Sequence, residues 1–313
     1  GTWSNWYNFS DDSKMESYIG YNDDDILGIE VDYENNKCTR LAGAVGLSAG
    51  ANFDKFNMYG GRRRCLIHAS GVLGYYGEEA YTNNINNIQS SGLNVMVYQP
   101  RFYYRVVPLK LERNIDGIGY YMKKGRYYIS DTPKPGFKLH PAFYDEDGNE
   151  LEGIYYSAYE NSIRQVINSG ITIVYTSYLQ NEITSYDTKC ELESIPGAIP
   201  CNNITMTNLE NFANPVNGYA NMTCHLETIK TISANQLLMM IEYGSLNLQN
   251  TLNKGVSTLT TSTPIATGGT ESLGNSSGMG NGTEGEVSFS YRGMENIYGN
   301  INKAIQGILI YGN

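Results

Sequence analysis

The stretch NVMVYQPRFYYRVVPLKLE, residues 94–112, constrains this chain more than any other. Val95, Val97 and Gln99 alternate with Met96 and Tyr98; beyond Pro100, Phe102, Tyr104 and Val106 alternate with Tyr103, Arg105 and Val107. A period of two is the signature of a strand, whose successive side chains point to opposite faces. Proline cannot donate to a ladder, so Pro100 and Pro108 mark breaks or edges.

Other segments fall in line behind it. ILGIEVDYENNKCTRL reads as a hairpin, with Ile29 and Val31 alternating with Glu30 and Asp32 before an Asn-Asn turn. DEDGNE is a second hairpin turn, tipped by Asp147-Gly148. TNLENFA reads as a helix opened by Thr207 and Glu210 in a capping box. SANQLLMMIEYGSLNLQNTLNKG reads as a longer helix, opened by Ser233 and Gln236 and ended by Gly255. A short third helix is expected in YENSIRQVI, and a last strand in AIQGILIYGN. Residues 257–287 form a long Gly/Ser/Thr/Asn loop, and a loop of that length is usually functional or disordered. Strands, then helices, then loop and strand, with no βαβ alternation, predict an α+β fold with antiparallel sheets.

The 27 Tyr and abundant Asn, Ser and Gly suit half-wet surfaces and contact sites as well as strands. The net charge of −10 makes nucleic acid and anionic membranes poor partners, and no apolar run is long enough to insert in a membrane. Five cysteines without a CxxC argue against a zinc framework; Cys190 and Cys201 flank a short loop, with free thiols the favoured state. The run Asp23, Asp24, Asp25 reads as a solvated turn; no cofactor is expected, and calcium is the one ion this pattern leaves open. No HExxH or P-loop occurs, and the adjacent Glu78 and Glu79 do not converge on one bond, so the chain does not read as an enzyme.

Arg62, Arg63 and Arg64 stand out in an acidic chain. On an extended segment Arg62 and Arg64 share one face and Arg63 takes the other. At least one face should be partly buried, so a structural salt-bridge cluster with Asp or Glu is expected, with an anion cradle as the other reading. Near the C-terminus, YRGMENIYGNI carries Gly293 and Gly299, which permit backbone conformations other residues resist. It reads as a structural turn, with Arg292 paired to Glu295 or to a distant acid. In and beside the long loop, Thr270, Asn275, Asn281, Tyr291, Arg292 and Asn296 are the candidate binding residues.

Five pieces in order, VMVYQPRFYYRV, GFKLHPAF, YYSAYE, SANQLLMMIEYGSLN and YRGMENIYGNI, resemble a family of phage structural proteins with a C-type-lectin-like domain. That domain is similar to the one in formylglycine-generating enzymes and in the variable proteins of diversity-generating retroelements. The resemblance covers residues 38–313 and leaves 1–37 as an N-terminal β and attachment segment, with Trp3 and Trp6 in its apolar stretch. It implies a C-type-lectin-like fold: small antiparallel sheets, two packed helices and long loops. Relatives carry tryptophans where this chain has Tyr298 and NINKAI, and they continue into a displayed C-terminal segment, so the domain is expected to be C-terminally incomplete. The copper chemistry of formylglycine-generating enzymes does not carry over, because no cysteine follows Cys224. The resemblance implies a virion protein on the particle surface, a head or tail fibre or adhesin that binds a bacterial surface glycan or protein. A purely structural capsid or tail decoration role is the alternative. Other virion proteins, a bacterial receptor and further copies of the chain are the expected partners.

Overall fold

The computed structural model describes residues 24, 26–88, 92–167, 172–176, 190–202, 204–213, 224–258 and 263–307. Among the described residues the first elements are β1 (Leu27–Asp32) and β2 (Lys37–Ala42), then α1 (Asn57–Gly60), β3 (Arg63–His68), β4 (Gly71–Tyr75), α2 (Glu79–Ile85), β5 (Asn94–Pro100), β6 (Tyr103–Arg113) and β7 (Tyr120–Ser130). It continues through β8 (Lys138–Leu139), β9 (Gly153–Ser157), β10 (Ser162–Ile167), β11 (Thr172–Thr176), β12 (Cys190–Glu193), α3 (Met206–Ala213), α4 (Ile229–Tyr243) and α5 (Leu248–Thr251). The last elements are β13 (Gly278–Met279), β14 (Phe289–Tyr291) and β15 (Met294–Glu295). The arrangement is α+β, with strands gathered in small antiparallel sheets of order β2-β1-β7-β6-β8, β4-β3-β5-β9, β11-β10-β12 and β13-β14-β15. No helix among the described residues is long and apolar enough to cross a membrane.

The alternating patterns are realised as expected. Leu27, Ile29 and Val31 of β1 are fully buried, while Glu30 between them faces Lys124 and Arg126 of β7 across the sheet, at 2.8 and 2.9 Å. Asp32 accepts from the Asn35 amides and Asn36 turns with φ 49°, closing the β1–β2 hairpin. Val95, Val97 and Gln99 of β5 point inward together. Pro100 ends β5, and Pro108 sits where the β6–β7 register shifts. Gly148 takes φ 84° at the tip of the acidic turn.

Two cores result. Leu27, Phe53, Phe102, Ile129 and Leu238 pack the first sheet against α4, and Leu66, Val95, Tyr156, Tyr159 and Ile195 form the second core. Tyr hydroxyls stitch α4 to both: Tyr59 donates to Leu238 O at 2.9 Å and Tyr156 to Thr231 O at 2.7 Å.

Four sequence expectations change. Residues 162–167 form a strand, not a helix: β10 lies between β11 and β12, and its β-branched Ile163, Val166 and Ile167 suit a pleated surface. The long helix starts five residues early, where Thr228 and Thr231 complete a reciprocal cap; Ser233 instead donates back to Lys230 O. It stops at Gly244, which takes the left-handed φ of 63°, rather than at Gly255. Thr205 Oγ1 accepts from Asn208 N at the start of α3, two residues before the cap expected at Thr207, which already lies inside the helix. Over residues 304–307 the expected last strand makes one bridge, Gln306 to Thr228; residues 308–313 lie outside the described residues. So do Trp3, Trp6, Asp23 and Asp25. Cys38, Cys65, Cys201 and Cys224 are free thiols.

Candidate functional site

The segment YRGMENI folds as a hairpin. Tyr291 pairs with Met294, leaving Arg292 and Gly293 as a two-residue turn, and both have positive φ, 45° and 89°. Such a turn suits the twist of paired strands but asks for φ > 0 at both positions, which Gly or Asn normally supply. Arginine is an uncommon choice there, costing about 1 kcal/mol in the left-handed region. The compensation is in its side chain.

Arg292 reaches into the body and forks onto Glu242, with Nε to Oε2 at 2.8 Å and Nη2 to Oε1 at 2.7 Å. Its Nη1 meets Asp54 at 2.7 Å and its Nη2 donates to Gly50 O at 3.0 Å. Glu242, on α4, is fully buried and also accepts from Tyr291 OH and Gly50 N, both at 2.9 Å. Burial alone would lower the affinity of Arg292 for its proton; the hydrogen bonds and charge of Glu242 more than reverse that, and the guanidinium is held charged above its ordinary range. A bidentate, charge-assisted pair of this kind fixes orientation as well as energy.

The turn's own carbonyls are taken from the other side. Arg62 Nε donates to Arg292 O at 3.3 Å, and Arg64 Nε to Gly293 O at 2.7 Å. Arg62 is otherwise held by the Gln99 and Asn235 amide oxygens, at 2.9 and 2.6 Å, and lies over the Tyr291 ring. No carboxylate hydrogen-bonds to it among the described residues, so neutral acceptors replace the expected acid. Arg64 does pair with an acid, Glu271, at 3.3 Å, and Tyr81 and Tyr159 hydroxyls donate to the same carboxylate. Arg63 points outward, over the Tyr75 ring. The two-faced reading of the cluster therefore holds, with Arg62 and Arg64 on the buried face and Arg63 on the exposed one. Arg63→Ala should shift stability by no more than about 0.5–1 kcal/mol, as for exposed side chains generally, in a denaturant titration; a loss of several kcal/mol would mean that Arg63 is tied into the core.

The long loop is anchored to the same hairpin. Glu295 accepts from Gly268 N at 2.9 Å and from Thr270 N and Oγ1 at 2.8 and 2.7 Å. Arg64 takes Thr270 O, and Asn275 Oδ1 accepts from Arg64 N at 2.7 Å. Asn296, at φ 48°, accepts from Phe289 N and donates to Glu160 and Ser288. Gly299, at φ 86°, lies so close to Val256 that a Cβ would come within 2.9 Å of its backbone. Of the six candidate binding residues, Thr270, Tyr291, Arg292 and Asn296 thus face inward, because their polar atoms complete the scaffold. Asn275 is half-buried, and Asn281 is exposed together with Gly282, Thr283 and Glu284.

Sequence reasoning missed the acids. Glu242 is a lone carboxylate in the apolar run LLMMIEY, a position that demands a cation. Glu160 is the other: it is 7% exposed, its Oε2 accepts from Asn296 and Asn300 at 3.2 and 2.6 Å, and its Oε1 has no hydrogen-bond partner among the described residues. Burial pushes its carboxyl up to about 7, against the lowering pull of Asn300, Lys303 and Asn296.

An open groove of about 580 Å³ lies elsewhere, between Tyr104, Lys138, Tyr144, Asp145 and Lys230. Beneath it His140 stacks among Phe102, Tyr104 and Phe143, and burial depresses its pKa to about 4. Ser233 Oγ is 3.4 Å from His140 Nε2 but donates to Lys230 O at 2.8 Å. Burial holds the Cys65 and Cys201 thiols up near 12 and 11, in their unreactive protonated form. Among the described residues no group of three or more His, Cys, Asp and Glu is placed to hold a metal ion. No family model, curated protein or solved structure matches the chain. Function is therefore argued from the site itself.

Proposed function

We propose that the chain is a non-catalytic virion structural protein, a fibre or adhesin whose scaffold presents a polar loop to a bacterial surface glycan or protein. The observation that carries this reading is the anchoring of residues 268–275 by Glu295 and Arg64, with the exposed stretch Asn281–Glu284 following in the same loop. Loops that carry recognition work best when a rigid body fixes them, since less ordering is lost on binding. The exposed Asn, Gly, Thr and Glu are the adaptable polar groups such surfaces use. The small antiparallel sheets, packed helices and long loops support a C-type-lectin-like reading of the fold, and the sequence resemblance supports the virion setting. Glu242, Glu295, Arg62, Arg64 and Arg292 are each tied to interior partners, which supports a scaffold role for this cluster rather than a catalytic one.

The test is saturable binding of labelled protein to intact Gram-positive gut bacteria. Replacing Asn281, Thr283 and Glu284 together by Ala should weaken binding about tenfold or more, the equivalent of 1.4 kcal/mol. Melting should stay within a degree or two, as for surface changes. Parallel loss of binding and stability would sink the assignment. The decoration role is favoured by a different observation, the β6–β7 hairpin, whose outer half carries a cluster of exposed apolar side chains.

A further inference from the structure

The β6–β7 hairpin outruns its sheet. The two strands pair from Tyr103–Ser130 to Arg113–Tyr120. On one side β1 accompanies β7 only as far as Lys124, and Tyr33 N adds one bond to Lys123 O. On the other, β8 pairs with Tyr103 and Tyr104, and beyond Tyr104 no strand lies beside β6 among the described residues. The outer part, Leu111–Arg113 against Tyr120–Met122, is a two-stranded ribbon about 10 Å long at 3.4 Å per residue, capped by the tip turn. Such a ribbon is marginally stable alone in water, and its edges present unpaired backbone groups.

Its surface is apolar where a solvated ribbon should be polar. Ile115 is wholly exposed, Ile118 76%, Tyr120 66% and Leu111 54%, and Tyr121 and Leu109 are exposed beside them. The tip is nevertheless shaped: Asp116 accepts from Ile118 N, Asn114 donates to Ile118 O, and Arg113 donates to Gly117 O. This is a pre-organised apolar projection without a cover.

The edge of β6 reads Lys110-Leu111-Glu112. In an antiparallel pair of two such edges about a two-fold axis at Leu111, each Lys110 falls opposite the other copy's Glu112. Opposite charges facing across strands are favourable, and an isologous contact needs this self-complementarity. Both side chains have partners within their own copy, Lys110 with Glu34 and Glu112 with Lys123, but at exposed positions where such pairs are worth little. Pro108, which has no N–H, and the register shift between Pro108 and Lys110 end the pairable edge just before Lys110, so the paired stretch stays short and closes as a dimer rather than growing as a sheet.

We propose that the β6–β7 hairpin is a self-association arm whose partner is a second copy of this chain, joined edge to edge at Lys110–Glu112. This deepens the virion reading by naming one partner, and it stands apart from the receptor loop at 281–284.

Sedimentation velocity over a concentration series tests it on the full chain. The unaltered protein should dimerise. K110E and E112K, each bringing like charges together twice, should each weaken dimerisation roughly tenfold. An equimolar mixture of the two should associate as well as the original, because each charge then meets its opposite. Circular dichroism confirms that each variant is folded. A chain that stays monomeric at about 100 μM, a concentration that populates any dimer of micromolar affinity, would overturn the proposal. So would a dimer that both variants leave unchanged. Either result leaves the cell-binding assay above free to stand or fall separately.

Discussion

Arg292→Met is expected to cost about 3–5 kcal/mol of folding stability, the usual penalty for stripping one partner from a buried ion pair. The variant leaves Glu242 fully buried and short of its bidentate partner, with Tyr291 OH and Gly50 N as the remaining donors to its carboxylate among the described residues. It also leaves a side chain at φ 45° with nothing to offset the conformation. Urea denaturation reads the loss directly. The pair need not be a net source of stability: replacing both members by Met should recover much of the deficit, since matched apolar groups avoid the cost of burying charge. A single variant within 1 kcal/mol of the original would mean that the hairpin is held by packing rather than by this pair.

The second large effect depends on pH. Glu160 has its carboxyl raised to about 7 in the fold, chiefly by burial, against a value near 4.5 in the unfolded chain. The folded state therefore binds the proton more tightly. The associated stability is fully present below pH 4.5 and is lost as pH rises through 7, where the carboxylate must be buried charged. Two and a half units correspond to about 3 kcal/mol. Gln keeps the shape, accepts from Asn296 and Asn300 through its oxygen, and carries no charge. Glu160→Gln should thus melt close to the original at pH 4.5 and clearly above it at pH 8. His140 acts in the opposite sense: depressed to about 4 from 6.5, it contributes stability above pH 6.5 that is lost as pH falls toward 4. The unaltered protein therefore shows a muted profile between these limits, and the Gln variant should unmask the His140 slope. Identical profiles for the two proteins would place Glu160 in contact with solvent.

The elements with strong local signals were readable in advance: the alternation at 94–112, the Asn-Asn and Asp-Gly turns, and the apolar stripe of the long helix. Errors came where tertiary pairing outweighs local pattern. SIRQVI has helical neighbours in its sequence, yet lies between two strands that satisfy its backbone on both sides. The caps at Thr228 and Gly244 were displaced because several Ser and Thr residues offer equivalent starts, and tertiary packing selects one. The arginines were read as a cluster needing acids, which holds for Arg64; nothing local announces that Arg62 would be held by Gln99 and Asn235. The polar residues near 291–296 were candidates for contact because polarity implies exposure on average. Here they are turned inward by carboxylates from distant segments, and no local pattern encodes a pairing across such separations.

Those separations bear on how the chain is made. Arg62 and the carbonyl it caps at Arg292 lie 230 residues apart. At 5–20 residues per second, a ribosome takes roughly 10–50 s to deliver the second after the first. Throughout that interval the Gly50–Arg64 region and the nascent α4 carry an arginine and a glutamate meant for burial without the hairpin that reconciles them. This part of the body can therefore close only once the hairpin at residues 289–295 emerges, and any variant that slows this late closure should raise the yield of aggregated protein before it changes the equilibrium stability.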